Sequence, residues 1–303
     1  MTPTPRMSPT LAERLGFAAD DRVAVIHCDD LGLCHAANRG GFEALAAGPA
    51  TCGSIMVPCP WFAEAARHAR AHPELDLGVH LTLNAEWDAC RWGPVAGPSA
   101  VPSLVDDEGY LPRTTLETVQ RAKPEEVAVE LRAQVQRALD AGIDVTHLDS
   151  HMGTCFFPAF LEVYADLARE FRVPVFAARP DPEVLAARGM EALGKVLEPL
   201  LARLEAEGVP VLDGFDAESL AFEPGGGAEH NAARLDRLPP GVSYLICHPA
   251  QDGEELRALC PEQAHMREFE RRFYGGDEGR RALAERGIQT VGMRALRDLM
   301  RGA

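Results

Sequence analysis

The chain of 303 residues is nearly without lysine, holding only Lys123 and Lys195, and its formal net charge is −16. Nucleic acid and anionic membranes attract basic patches. The densest basic clusters here are mere pairs, Arg271-Arg272 and Arg280-Arg281. The expectation is therefore no nucleic-acid partner and no membrane partner. None of the eight cysteines (Cys28, Cys34, Cys52, Cys59, Cys90, Cys155, Cys247, Cys260) forms a Cys-x-x-C pair, which removes a zinc ribbon and a thioredoxin-type motif. Scattered through a chain of this length, they read as buried reduced thiols. No apolar run approaches the roughly 18 residues of a membrane span. The first residues lack a charged-then-apolar leader pattern, so a cytoplasmic location is expected. Internal repeats and low-complexity tracts are absent as well, and no G-x-G-x-x-G follows the first apolar run. That last absence argues against an open dinucleotide-binding sheet.

What is present is an ordinary globular balance, 46% hydrophobic and 25% charged residues. Short apolar runs alternate with helix-period segments. Val23–His27 is apolar on both faces, as a parallel strand covered by helices should be. Similar runs follow at Ser54–Val57, Leu77–His80, Val145–Leu148, Val173–Phe176, Pro210–Leu212 and Val242–Cys247, with a weaker one at Ile288–Val291. Helices are expected over Trp61–His72, Glu125–Asp140, Pro182–Gly208 and Gln263–Phe273. Pro124 and Gly142 supply a start and a stop for the second of these. Seven or eight such units without a boundary predict an α/β fold, an irregular, TIM-barrel-like (β/α) barrel of mostly parallel strands. The prediction is one domain over residues 1–303, with a long insertion loop at about 84–112 that is too long for a plain connector.

The Asp and His residues fall where chemistry would need them. In a (β/α) barrel the C-terminal strand ends form the catalytic face. The first strand ends in His27-Cys28-Asp29-Asp30, the third in Gly78-Val79-His80, the fourth in Thr146-His147-Leu148-Asp149-Ser150-His151, and a late one in Cys247-His248-Pro249. Adjacent carboxylates repel each other unless a positive charge lies between them. Asp30 plus two imidazoles would make a two-His, one-carboxylate cation site with open positions. Asp29 would then be free to act as general base. Each cluster alone has a plainer reading. Asp-Asp also makes solvated turns and helix caps, His80 could be a satisfied core histidine, and His248 could simply end a strand. His147, Asp149 and His151 would share a face if the fourth strand persisted that far.

These four motifs, in this order and spanning roughly residues 22–250, resemble the YdjC-like, chitooligosaccharide-type carbohydrate deacetylases. The resemblance implies an irregular (β/α) barrel and one divalent cation, magnesium or zinc. It implies that Asp30, His80 and His151 hold the cation, that Asp29 activates water, and that His248 stands near the leaving group. After the third motif the chain reads His151-Met152-Gly153-Thr154-Cys155, where chitooligosaccharide enzymes carry further histidines. The cation chemistry thus carries over on these residues, and the particular sugar does not.

The activity expected is hydrolysis of an N-acetyl amide on a carbohydrate, a small-molecule substrate, with Asp29 and His248 as catalytic residues. Asp149 and His147 are expected behind the ligands, Asp149 orienting a neighbouring imidazole. The Asn84–Pro112 stretch should emerge over the catalytic rim. Arg91 and Trp92 are its candidates for binding substrate, with Trp87 nearby, since Trp faces stack on sugars and Arg grips paired oxygens. The alternative for this stretch is that its aromatics only pin the loop. Rival readings of the whole chain are another amidase, a phosphoesterase, or an idle metal- or sugar-binding protein. A phosphate substrate would favour an Arg/Lys cluster, of which Arg91 is the one obvious member. A homodimer stays open as the protein partner.

Overall fold

The computed structural model of the chain describes residues 9–302 except 188 and 190. The expected absence of a leader, the two ends of the predicted domain and the middle of the predicted helix Pro182–Gly208 fall on residues outside that description. The sheet has seven strands: β1 (Arg22–Leu31), β2 (Cys52–Ile55), β3 (Leu77–Leu81), β4 (Val145–Ser150), β5 (Gly214–Asp216), β6 (Gly241–Cys247) and β7 (Ile288–Thr290). Their order is β4-β3-β2-β1-β6-β5, with β7 paired to β1, and every pairing is parallel. The sheet curls so far that His27 of β1 and His147 of β4, three strands apart, touch across its interior. This is the irregular (β/α) barrel predicted above.

Two expected strands shrink to single bridges. Val175 pairs with Leu148 and Ala178 with Leu212, so residues near 173–178 link β4 to the β5 side without forming a ladder. Pro174, inside that run, has no N–H to donate. The strand expected at Pro210–Leu212 comes instead at Gly214–Asp216. The helices lie close to expectation at Phe62–Ala71, Pro124–Asp140 and Ala264–Tyr274. The segment Pro182–Gly208 gives two helices, Pro182–Ala187 and Glu191–Ala206.

Side chains of β1 alternate between two environments, as a pleated strand requires. Ala24, Ile26 and Cys28 pack outward with Leu245, Cys247 and Phe273. Val23 and Val25 pack inward with Val242, Tyr244 and Met293. His27 and Asp29 continue the inward face, so an apolar floor gives way to a polar rim along one strand. All eight cysteines are free thiols, seven of them buried. Among the described residues, no helix is long and apolar enough to cross a membrane. Residues 84–112 form a packed loop with one short turn, Pro102–Leu104. The Ala85 N–H donates to the Pro112 carbonyl at 2.8 Å and closes its base. Glu130 accepts from the Val95 and Ala96 N–H groups at 2.9 and 2.8 Å and anchors its middle.

Candidate metal centre

A regular strand cannot point two consecutive side chains inward. At the end of β1 the chain escapes that rule. The register with β2 shifts between Cys28 and Leu31, giving a bulge, and Asp30 adopts a left-handed backbone with φ 65°. Asp is among the few residues that tolerate this conformation. Bulge and turn together carry Asp30 to the same side as Asp29.

Asp30 meets His80 and His151 there. Its Oδ1 lies 3.6 Å from His80 Nε2 and 3.4 Å from His151 Nδ1. The three ligand atoms all lie within 4.8 Å of one another, and the three side chains are buried. Oδ1 is fully buried yet has no well-formed hydrogen bond. Buried polar atoms are rarely left so unless an ion or water belongs there. Ligands about 2.0–2.2 Å from a zinc ion stand roughly 3–3.5 Å apart. The donor set therefore fits a small divalent cation in both spacing and chemistry.

Neighbours fix these groups. Strand register sets His80 opposite Asp149, and His80 Nδ1 donates to Asp149 Oδ2 at 2.9 Å. Ser54 donates to the same oxygen at 3.0 Å. Asp149 thus orients His80 with Nε2 facing Asp30, the arrangement that histidine ligands commonly need. β4 ends at Ser150, and His151 reaches the rim from the short helical turn that follows. Its Nε2 lies 3.0 Å from both Glu86 carboxylate oxygens. Arg267 donates to Asp30 Oδ2 at 2.8 Å, a contact between residues 237 positions apart.

The electrostatics follow from burial and charge. Burial alone would raise the Asp30 carboxyl, but Arg267 and His151 outweigh it and hold it well below the usual range. Burial, joined by the Asp149 and Asp30 charges, pushes Asp29 well above that range against a pull from His80. Burial opposes protonation of His151, yet Glu86 and Asp30 raise it to about 10. Burial, reinforced by Arg267 against the pull of Asp30, lowers His248 to about 3.

His248 Nε2 and His80 Nε2 each lie 3.8 Å from Asp29 Oδ2, so that oxygen faces the space between two imidazoles. His248 Nδ1 lies 2.8 Å from Ser219 Oγ, which itself donates to Glu270. Ser219 Oγ therefore accepts from His248 Nδ1–H, and Nε2 is left unprotonated toward the site. His147 sits deeper, its Nε2 2.8 Å from His27 Nε2.

Arg91 and Trp92 are not brought to this cluster. Arg91 donates to Asp106 Oδ2 and to the Leu111 carbonyl, both at 2.8 Å, and lies over the Tyr110 ring. Trp92 is buried against Trp87 with ring centroids 5.8 Å apart. These contacts all lie within the loop. Trp87 is the loop aromatic that approaches the centre, 6.4 Å from the His151 ring. Sequence reasoning missed Glu86, Arg267 and His27 as members of the site. His27 and Glu86 stood inside quoted segments, whereas Arg267 sits on a helix with no local signal.

Fold and centre together define an α/β barrel protein with a buried His–carboxylate site suited to a cation at its strand ends. The chain belongs to the YdjC-like protein family, whose model matches residues 23–285. A carbohydrate deacetylase of Thermus thermophilus is 37% identical over 295 residues, 96% of this chain and 99% of the relative. One of Thermoanaerobacter pseudethanolicus is 25% identical over 249 residues, 82% of this chain and 89% of the relative. Among solved structures, an Enterococcus faecalis protein named for cellobiose-phosphate cleavage superposes with a TM-score of 0.76 at 27% identity. That match covers 91% of this chain and 99% of the other.

Proposed function

We propose that this protein is a cation-dependent deacetylase that hydrolyses an N-acetyl amide on a carbohydrate, working as one (β/α)-barrel unit. The observation that carries the reading is the buried, partnerless Asp30 Oδ1 between two imidazole nitrogens, with a second carboxylate beside it. The names of the relatives supply the substrate class. Asp30, His80 and His151 would hold magnesium or zinc. Such a cation lowers the pKa of a bound water toward about 7 and polarises a carbonyl oxygen.

Every other step belongs to side chains. Asp29 Oδ2 takes a proton from the attacking water as its oxygen bonds to the acetyl carbon. The C–N bond then breaks, and the amine nitrogen needs a proton as it leaves. His248 is neutral at rest, so it does not start as the acid. Its bare Nε2 lies 3.8 Å from Asp29 Oδ2 and can collect that proton and pass it to the amine. Trp87 is the loop side chain best placed to meet a sugar ring. Arg267 is committed to Asp30 and Arg91 to Asp106, so neither is free to grip a phosphate.

The test is acetate release from N-acetylglucosamine and its β-1,4-linked dimer, with and without chelator. Release that stops on chelation and returns with added cation supports the reading. Phosphate release from a sugar phosphate with no acetate release would replace it by the phosphoesterase alternative.

A further inference from the structure

Beneath the candidate centre lies a second polar layer that the proposed reaction does not use. Asp29 Oδ1 lies 2.6 Å from His27 Nδ1. His27 Nε2 lies 2.8 Å from His147 Nε2. His147 Nδ1 lies 2.9 Å from the Thr146 hydroxyl, which bridges on to Asp76. Both imidazoles are wholly buried. Tyr244 stacks on the His27 ring with centroids 4.8 Å apart and planes 27° from parallel. Gly78 makes room for His147, because a Cβ there would stand 2.7 Å from the ring's Nε2. Four strands, β1, β3, β4 and β6, thus cooperate to hold two histidine rings in one arrangement.

The hydrogen count fixes what that arrangement does. A neutral imidazole carries one N–H. Thr146 donates its one hydroxyl hydrogen to Asp76, so it accepts from His147 Nδ1–H and leaves His147 Nε2 a lone pair. His27 must then present Nε2–H to it, and its Nδ1 shares a single proton with Asp29 Oδ1. One ring sets the tautomer of the other, and the pair ties Asp29 Oδ1 down, leaving Oδ2 facing His80 and His248. This is the orienting logic by which a third group fixes a catalytic imidazole, here with imidazoles fixing a carboxylate.

We infer that His27 and His147 are positioning residues that clamp Asp29 from inside the barrel, holding Oδ2 toward the attacking water. The inference rests on the reading of Asp29 as the base. It also gives Gly78 a purpose, since the motif glycine before His80 becomes the space in which the clamp's second ring lies.

The test uses cation-loaded protein in two readouts. In ring-¹⁵N-histidine spectra, the His27 Nε2–H should be visible and slow to exchange with solvent. It should move on both Asp29→Asn and His147→Gln. For turnover of the N-acetylglucosamine dimer, His27→Ala should lower kcat by about 10-fold or more while KM stays within about 2-fold. His27→Asn, whose amide keeps a polar partner for Asp29 Oδ1 near the Nδ1 position, should restore most of that loss. In an Asp29→Asn background the further cost of His27→Ala should fall below about 2-fold, because nothing is left to position. Equal losses in both backgrounds, or an Nε2–H that is absent or indifferent to Asp29→Asn, would overturn the clamp alone. Wild-type kcat in Asp29→Asn would instead overturn the base reading, and the clamp with it. If the dimer is not turned over at all, the ring proton decides the inference.

Discussion

Two regions of this molecule are rich in histidine, and they could hardly differ more. One is the barrel rim, where His80, His151 and His248 arrive from separate strand ends. The other is an outer groove of about 940 Å³ between the helices His35–Ala47 and Phe62–Ala71, lined by His35, His68 and His72 among others. The groove's histidines sit at the surface, His35 pairing with Glu64 at 2.9 Å and His72 with Glu74 at 3.1 Å. His35 and His72 each have nearly half of the side chain exposed, where water competes with any such pair. At the rim every histidine is largely or wholly buried, its pKa is displaced, and a carboxylate oxygen is left without a partner. The number of histidines does not distinguish the two regions; burial and an unsatisfied atom do.

The sharpest blow to that contrast falls on Asp29. Asp29→Asn keeps the shape and loses the basicity, so kcat should drop by at least about 10²-fold with cation content unchanged. Turnover close to wild type would make the rim no more catalytic than the groove.

Stability against pH comes next. Burial lowers His27 and His147 to about 4 and His248 to about 3, each below the ordinary value of 6.5. The unfolded chain therefore takes up protons first as pH falls. Their contribution is complete above about pH 6.5 and is lost as pH drops from there toward 4. Across that window each of the three groups should contribute a loss of up to about 3 kcal/mol, read as a falling Tm in chelator. His147→Gln should flatten the fall; an unchanged slope would mean that His147 is no harder to protonate folded than unfolded.

The smallest effect belongs to the groove. His72→Ala should shift stability by no more than about 0.5 kcal/mol and leave turnover intact. A loss of activity there would break the comparison from the other side.

Much of the rim was legible because strand ends announce themselves. Apolar runs closing in Asp29-Asp30, His80 and His248 needed only the rule that a parallel barrel works at its C-terminal strand ends. Asp149 is expected to orient a neighbouring imidazole because histidine ligands commonly need such a partner, and the strand register sets it opposite His80. Other parts depend on distance in sequence. Arg267 reaches Asp30 from a helix 237 residues on, and no local pattern marks that helix as facing the rim. The bulge that turns Asp30 inward arises from pairing with β2, not from β1 itself. Val173–Phe176 has the composition of a strand, but β4 pairs with it only at Val175, so propensity without a full ladder overstated it. Arg91 and Trp92 have the right chemistry for a sugar, and the loop uses both for itself.

The central claim is that Asp30, His80 and His151 hold one divalent cation. Elemental analysis of purified wild type and of Asp30→Ala, His80→Ala and His151→Ala, each folded by circular dichroism, tests it directly. The account predicts about one equivalent in the wild type and a large loss in every variant, because three ligands leave little redundancy. Full stoichiometry in all three variants would contradict it.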